Sequence, residues 1–338
     1  MTLRILHDIH AGVLRSAGTT PASALALRLH IRERFKSLLP KAGNLMLLGD
    51  IFDTGNVPLT DSLGVYEILA DWLAQHPEST LYNVAGNHDL AKTSTVLSSF
   101  QFVGRLLARQ FPNRYVHIEE PAMTPYGYAI PHLRNQDIFN LALAGVPSCE
   151  RLFVHCNIDN NFAAQSDQSL NISADQLEAL PVREVICAHE HHRRTVGKVI
   201  IPGNQIASSV SDWLSNGDKF FAQIVDGQTE LIKCGEKATE FAEMDWQNLT
   251  PTEHKFVRIT GTASPEQISA TITKINRFRA ASSAFVVSNA VTQTSEAGDS
   301  AEMFSQSLES VAKFDIMEAL RRILTQEEMQ ELEALNAL

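Results

Sequence analysis

Val185 to Arg194 reads VICAHEHHRR, an apolar run that ends in three histidines within four residues. The chain has 338 residues and only 12 histidines. The run VREVIC, Val182 to Cys187, has the length and apolar content of a buried strand, so the histidines stand at a strand's carboxyl end. An HExxH zinc-protease helix is excluded, because the second histidine position there is Arg193. Read alone, His189 and His191 fit an exposed histidine patch as well as a metal site. The two readings separate on whether partners wait at equivalent positions elsewhere.

Four more apolar runs end in such groups. Leu3–Leu6 leads into His7-Asp8-Ile9-His10, and Leu45–Leu48 into Gly49-Asp50-Ile51-Phe52-Asp53. Leu81–Val84 precedes Gly86-Asn87-His88-Asp89, and Arg151–Val154 precedes His155. Open α/β sheets place their sites at the carboxyl ends of strands, so these groups are expected to converge on one rim. Each group has a plainer reading: Asn87-His88 fits a turn, and Asp53 a solvated loop or a helix cap. Together, five of the 12 histidines belong to the set, and a sixth, His192, adjoins it. Carboxylates and an amide oxygen mixed with imidazoles suit manganese, iron or zinc. Two dications ~3.5–4 Å apart need an anion between them. Alternation in an extended segment lets Asp8 and His10 face one way, and likewise His189 and His191, with His192 pointing elsewhere.

Helical patterns separate the strands. Ala22–Leu39 sets Leu25, Leu29, Ile31, Phe35 and Leu38 near one face, and Ser62–Gln75 does the same. From Val199 to Lys233 the pattern becomes alternation with turns, and Asp226-Gly227 reads as a hairpin turn. Residues 250–291 read as a small strand–helix–strand module, with Ser264 as cap and Pro265 in the helix's first turn. Residues 292–302 read as a polar linker, and 303–338 as two amphipathic helices.

Composition sets limits. The chain is 44% hydrophobic and 20% charged, ordinary for a globular protein. It has no apolar run of the ~18 residues that a membrane span needs. Its start lacks the layout of a secretory signal, so a cytoplasmic location is expected. The four cysteines form no CxxC pair and read as buried free thiols. The formal net charge of −11 counts against a chain that grips nucleic acid unaided.

The ordered set DxH, GDxxD, GNHD, a lone His and then HxH resembles the signature of the calcineurin-like metallophosphoesterases, over roughly residues 1–235. Within them the chain is similar to the nuclease subunit of SbcC–SbcD-type DNA repair complexes, especially phage recombination nucleases. The stretches GDIFDTGNVP, NVAGNHDL, LFVHCNIDNNF and VIIPGNQIASSVSDWLSNGDKFFAQIVDG carry that likeness. The resemblance implies a four-layer α/β/β/α sandwich with a small α+β cap and C-terminal helices. It implies two divalent ions, manganese first among them. Asp8, His10 and His191 would hold one, Asn87, His155 and His189 the other, and Asp50 would bridge them. His88 would face the scissile phosphate and assist the departing oxygen, with Asp53 orienting it. Ala188 stands where the family has glycine, and Ile9 where it has tryptophan; neither is a ligand.

The same resemblance implies a metal-dependent DNA nuclease, with 250–291 as a DNA-facing cap and 303–338 docking an SbcC-like ATPase. It also implies a homodimer. The chain has no GxxxxGK[ST] loop of its own, so a partner would supply ATP hydrolysis and positive surface. Among its basic clusters, Arg193 and Arg194 follow the metal loop and are the candidates for phosphate contact. A phosphatase or small-molecule phosphodiesterase is the alternative enzyme, and a non-catalytic scaffold the alternative of another class.

Overall fold

The computed structural model describes residues 2–13, 20–91, 96–160, 169–215, 218–235 and 240–294. Two sheets of six strands dominate. The first is built on β1 (Thr2–Leu6), β2 (Asn44–Leu48), β3 (Leu81–Val84) and β4 (Tyr115–Ile118), all parallel. It is extended beside β1 by the antiparallel hairpin of β13 (Phe220–Val225) and β14 (Gln228–Lys233). Asp226 and Gly227 form that hairpin's turn with φ of 47° and 84°, the left-handed pair that a type I′ turn requires.

The second sheet runs β11 (Arg194–Val196), β12 (Val199–Ile201), β10 (Val182–Ala188), β7 (Cys149–His155), β6 (Gly127–Ile130) and β5 (Ala122–Thr124). Its four inner strands are parallel, and its edges are antiparallel. A two-stranded ribbon, β8 (Asn157–Ile158) with β9 (Asn171–Ile172), follows β7.

The sheets stack face to face. Leu3, Ile5, Met46 and Leu48 of the first meet Ala129, Phe153, Ile186 and Ala188 of the second in one buried cluster. On the outer face of the first sheet, Leu6, Leu45 and Leu47 pack under α1 (Pro21–Leu38), α2 (Leu59–Gln75) and α3 (Ser99–Gln110). On the outer face of the second, Val154, Val185 and Cys187 pack under α4 (Gln136–Ala144) and α5 (Ala174–Ala179). The layers are therefore α/β/β/α, and strands covered on both faces explain the unbroken apolar runs.

Three readings of the sequence change. The buried face of α1 is Ser23, Leu27, His30, Ile31, Phe35 and Leu38, whereas Leu25 and Leu29 are 48% and 44% exposed. Leu25 and Leu29 form a second i, i+4 stripe, which periodicity cannot tell from the true one. The helix α6 (Val210–Ser215) interrupts the stretch read as alternation between Val199 and Lys233. Within residues 250–291, β16 (Phe256–Thr260) and β18 (Phe285–Asn289) lie parallel, and β15 (Phe241–Asp245) joins them as a third strand. Phe241 and Phe256 lie with ring centres 5.2 Å apart, tilted by 31°, and enter the same core as α1.

By contacts the chain divides into residues 1–261 with 273–290, and a second unit of Thr262–Ile272 with Val291–Leu338. In the second, β17 (Thr262–Ala263) pairs in parallel with β19 (Thr292–Gln293), which takes up the start of the stretch read as linker. The helix α7 (Ile268–Ala281) begins there and ends in the first unit. The helices expected at 303–338 lie outside the described residues. Among the described residues, no helix is long and apolar enough to cross a membrane.

Candidate metal centre

The five groups do meet, at the carboxyl ends of β1, β2, β3, β7 and β10. The loop after β1 is laced to the loop after β2 by main-chain bonds. Asp8 N–H donates to Gly49 O, His10 N–H to Asp50 O and Ala11 N–H to Ile51 O, at 2.9–3.1 Å. The Asp89 carboxylate joins the third loop to the second, accepting from Phe52 N–H and Gly86 N–H, both at 3.0 Å. The close approach explains two glycines. A Cβ on Gly49 would sit 2.2 Å from His155 Nδ1, and one on Gly86 2.3 Å from Asp50 Oδ1.

Asp8, His10, Asp50 and His189 all have positive φ, at 49°, 52°, 53° and 89°. They are four of the six such non-glycine residues described. Left-handed backbone costs energy outside glycine and gathers where function requires it. The expectation of an extended loop is thus corrected: Asp8 and His10 reach the site from a strained turn.

Donor atoms of the expected ligands fall into two groups, each within 4.8 Å: Asp8, His10 and His191, then Asp50, His155 and His189. His189 and His191 thus join different groups, as the resemblance implied. Nε2 of His10 and Nε2 of His191 face each other at 3.2 Å. Asn87 Oδ1 lies 3.0 Å from His155 Nε2, which is also 3.3 Å from Asp50 Oδ2 and 4.0 Å from Asp8 Oδ1. The floor, Asp8, His10, Asp50 and His155, is at most 2% exposed, whereas Asn87, His88, His189 and His191 are half-buried. His192 is exposed.

Supporting contacts set tautomers and charges. His155 Nδ1 lies 2.9 Å from the Leu48 carbonyl oxygen, which can only accept, so Nδ1 carries a proton and Nε2 faces the site. Asp8 Oδ2 accepts from His189 N–H at 3.1 Å and lies 2.6 Å from His7 Nδ1. Burial would raise the Asp8 pKa, but the bond and charge of His7, with His155 and His191, hold it well below the usual range. Burial would likewise raise the Asp50 pKa, but the charge and hydrogen bond of His155 outweigh it and hold the carboxyl below its usual range. Burial brings His10 down to about 3, leaving it neutral. His155 is driven down by burial but raised by Asp50 and Asp8 to about 10. Burial and the Asp50 charge push Asp89 up to about 7.

This donor set fits a pair of divalent cations. Two carboxylates are buried side by side with the neutral His10 ring and the ring nitrogens of His155, His189 and His191. Asp8 Oδ1 is buried without a hydrogen-bond partner, although its other oxygen is held twice. Leaving such an acceptor unpaired costs about 1–3 kcal/mol, which a coordinated cation removes.

His88 sits at the rim. Its N–H donates to Asp50 Oδ1 at 2.8 Å, and its Nδ1 lies 2.6 Å from the carbonyl oxygen of Asp53. The orienting bond thus comes from the Asp53 main chain, while the Asp53 carboxylate lies 3.6 Å from His10 Nδ1. Arg194 is engaged otherwise than as a phosphate ligand. Its guanidinium grips both Glu190 oxygens at 2.7 Å and the Ile158 carbonyl at 2.6 Å. Arg193 is exposed, with its guanidinium 4.0 Å from the Phe220 ring centre.

Several neighbours were not anticipated from the sequence. His7 braces Asp8, and Gln205 braces His7, accepting its N–H at 2.6 Å. Asp212 Oδ1 lies 3.8 Å from His191 Nδ1 and 3.0 Å from the buried Lys219 ammonium. Only the adjacency of His7 to Asp8, and of Asp89 to His88, hinted at a role for any of them.

Residues 6–216, more than half of the chain, match the family of calcineurin-like phosphoesterases. The chain belongs to that family, metal-dependent hydrolases of phosphoester bonds that use two divalent metals. No curated protein matches the chain.

Proposed function

We propose that the chain is a DNA nuclease, the phosphodiester-cutting subunit of an SbcC–SbcD-type end-processing complex, using two manganese ions. The observation that carries this reading is the pair of donor groups converging beside His88. Asp8, His10 and His191 would hold one ion and Asn87, His155 and His189 the other, with Asp50 as the ligand they would share. Bound there, the ions supply Lewis-acid charge to a phosphoester's oxygens and acidify water. The chain's own residues do the rest. Leu48 O and the His7–Gln205 pair fix the ligands before substrate arrives, so no reorganisation is needed during reaction. His88, anchored through Nδ1, keeps Nε2 available, and as the imidazolium it would give the Nε2 proton to the oxygen that leaves phosphorus.

The stretches GDIFDTGNVP and VIIPGNQIASSVSDWLSNGDKFFAQIVDG support a nuclease of this type, with residues 250–291 as a DNA-facing cap. The net charge of −11 supports a partner that provides positive surface, an ATPase docking on residues 303–338 of a homodimer in the cytoplasm. Manganese-dependent cleavage of linear and circular DNA, beside bis-p-nitrophenyl phosphate, tests the reading. DNA cleavage upholds it. Hydrolysis of the small ester alone replaces it with a small-molecule phosphodiesterase, the reading that the acidic charge favours if no partner exists.

A further inference from the structure

Glu190 stands between His189 and His191, where a carboxylate could serve as a further metal ligand, yet it belongs to neither donor group. Its oxygens are taken up elsewhere. Oε1 accepts from the Ile158 N–H at 2.9 Å and from Arg194 Nη2 at 2.7 Å, and Oε2 accepts from Arg194 Nε at 2.7 Å. Arg194 Nη2 also donates to the Ile158 carbonyl oxygen at 2.6 Å. One ion pair thereby captures both main-chain groups of Ile158. A two-pronged, charge-assisted grip of this kind is among the strongest that side chains make. Glu190 is only 13% exposed, so water screens the pair weakly on that side.

The clamp ties together two loops that carry ligands. Ile158, on β8, closely follows His155, and Glu190 directly follows His189. His155 and His189 belong to the same donor group. His189 needs the support. Its φ of 89° lies in the left-handed region, past the roughly +50 to +70° that non-glycine residues adopt there. Such backbone persists only where the surroundings over-determine it. The His189 N–H is held by Asp8 Oδ2 at 3.1 Å, and the residue after it is held by the clamp. His191 has a separate hold, because its carbonyl oxygen accepts from the Asn204 N–H at 3.3 Å.

We propose that the Glu190–Arg194 pair is a positioning device for the metal centre: gripping Ile158, it holds His189 in its left-handed conformation and so keeps His189 on the ion it shares with His155. This rests on the two-cation reading of the site. Glu190 touches neither ion nor substrate and acts through His189.

Three measurements on the full chain test this: Mn2+ calorimetry, electron paramagnetic resonance with both sites loaded, and amide exchange of His189 without metal. Glu190→Ala is expected to weaken one ion by about 10- to 100-fold, the range for groups behind metal ligands, and to leave the other near wild type. The resonance of a coupled Mn2+ pair should give way to that of isolated Mn2+. The His189 N–H should exchange faster, with far-ultraviolet circular dichroism unchanged. Glu190→Gln still accepts from the Ile158 N–H and should recover part of the affinity. Arg194→Met leaves Glu190 on Ile158, so it should show the same loss in smaller measure; it carries the test if the alanine variant fails to fold. Unchanged affinity for both ions overturns the proposal. Equal weakening of both also overturns it, since the pair would then support the fold at large. If wild type binds fewer than two Mn2+, the reading of the site fails, and amide exchange alone decides the clamp: faster exchange in the variant upholds it, and an unchanged rate overturns it.

Discussion

Nδ1 of His88 lies 2.6 Å from the main-chain oxygen of Asp53, and the Asp53 carboxylate lies 3.6 Å from Nδ1 of His10. One residue thus orients His88 with its backbone and sets its carboxylate beside a metal ligand, His10. Asp53→Asn should spare the first task and impair the second. The expected result is Mn2+ affinity weakened by about 10-fold or more, as for other groups behind metal ligands, with turnover near wild type once Mn2+ saturates. Calorimetric Mn2+ titration beside activity at rising Mn2+ checks it. Lost turnover at full loading would return the orienting role to the carboxylate.

The raised pKa of His155 sets a pH dependence. Burial lowers it, but Asp50 and Asp8 lift it to about 10 in the metal-free chain, above the ~6.5 of an unfolded histidine. A raised folded pKa stabilises fully below the unfolded value and loses that contribution as pH rises through the folded one. The metal-free protein should therefore become less stable between about pH 6.5 and 10. Mn2+ affinity should rise over the same window, because the ion displaces a proton from Nε2. Denaturant melts without metal, and calorimetry in buffers of different ionisation enthalpy, measure both; binding at neutral pH without proton release would contradict it.

Gly49 has φ +87°, and a Cβ there would meet His155 Nδ1 at 2.2 Å. Gly49→Ala should push His155 off the Leu48 carbonyl and abolish binding of one of the two ions. Equilibrium dialysis with Mn2+ should count one ion per chain instead of two, with secondary structure unchanged by circular dichroism.

Asp89 is fully buried and holds two backbone N–H groups, of Gly86 and Phe52. Asp89→Ala leaves both unpaired, so the expected loss of unfolding free energy is about 2–4 kcal/mol. Urea titration reads it. Asp89→Asn, which retains one acceptor oxygen, should lose less.

Much of this was legible in the sequence because each ligand follows an apolar run, and the end of such a run is also the end of a buried strand. Asp8, Asp50, Asn87, His155 and His189 could be placed at one rim by that rule alone. The local conformation could not. Alternation placed Asp8 and His10 together, but they arrive through left-handed backbone, and so does His189. Supporting residues such as Gln205 were hidden by distance along the chain, 198 residues from His7, and that Asp53 reaches His88 through its main-chain oxygen leaves no mark in its residue type. The exposed Leu25 and Leu29 show the same limit on a helix, where two apolar stripes coexist and only the packed sheet decides which is buried.

Anomalous diffraction from crystals soaked in Mn2+ tests the central claim most directly. Two peaks per chain are predicted, one among Asp8, His10 and His191, and one among Asn87, His155 and His189, with Asp50 touching both. A single peak, or ions bound away from these side chains, would contradict the account.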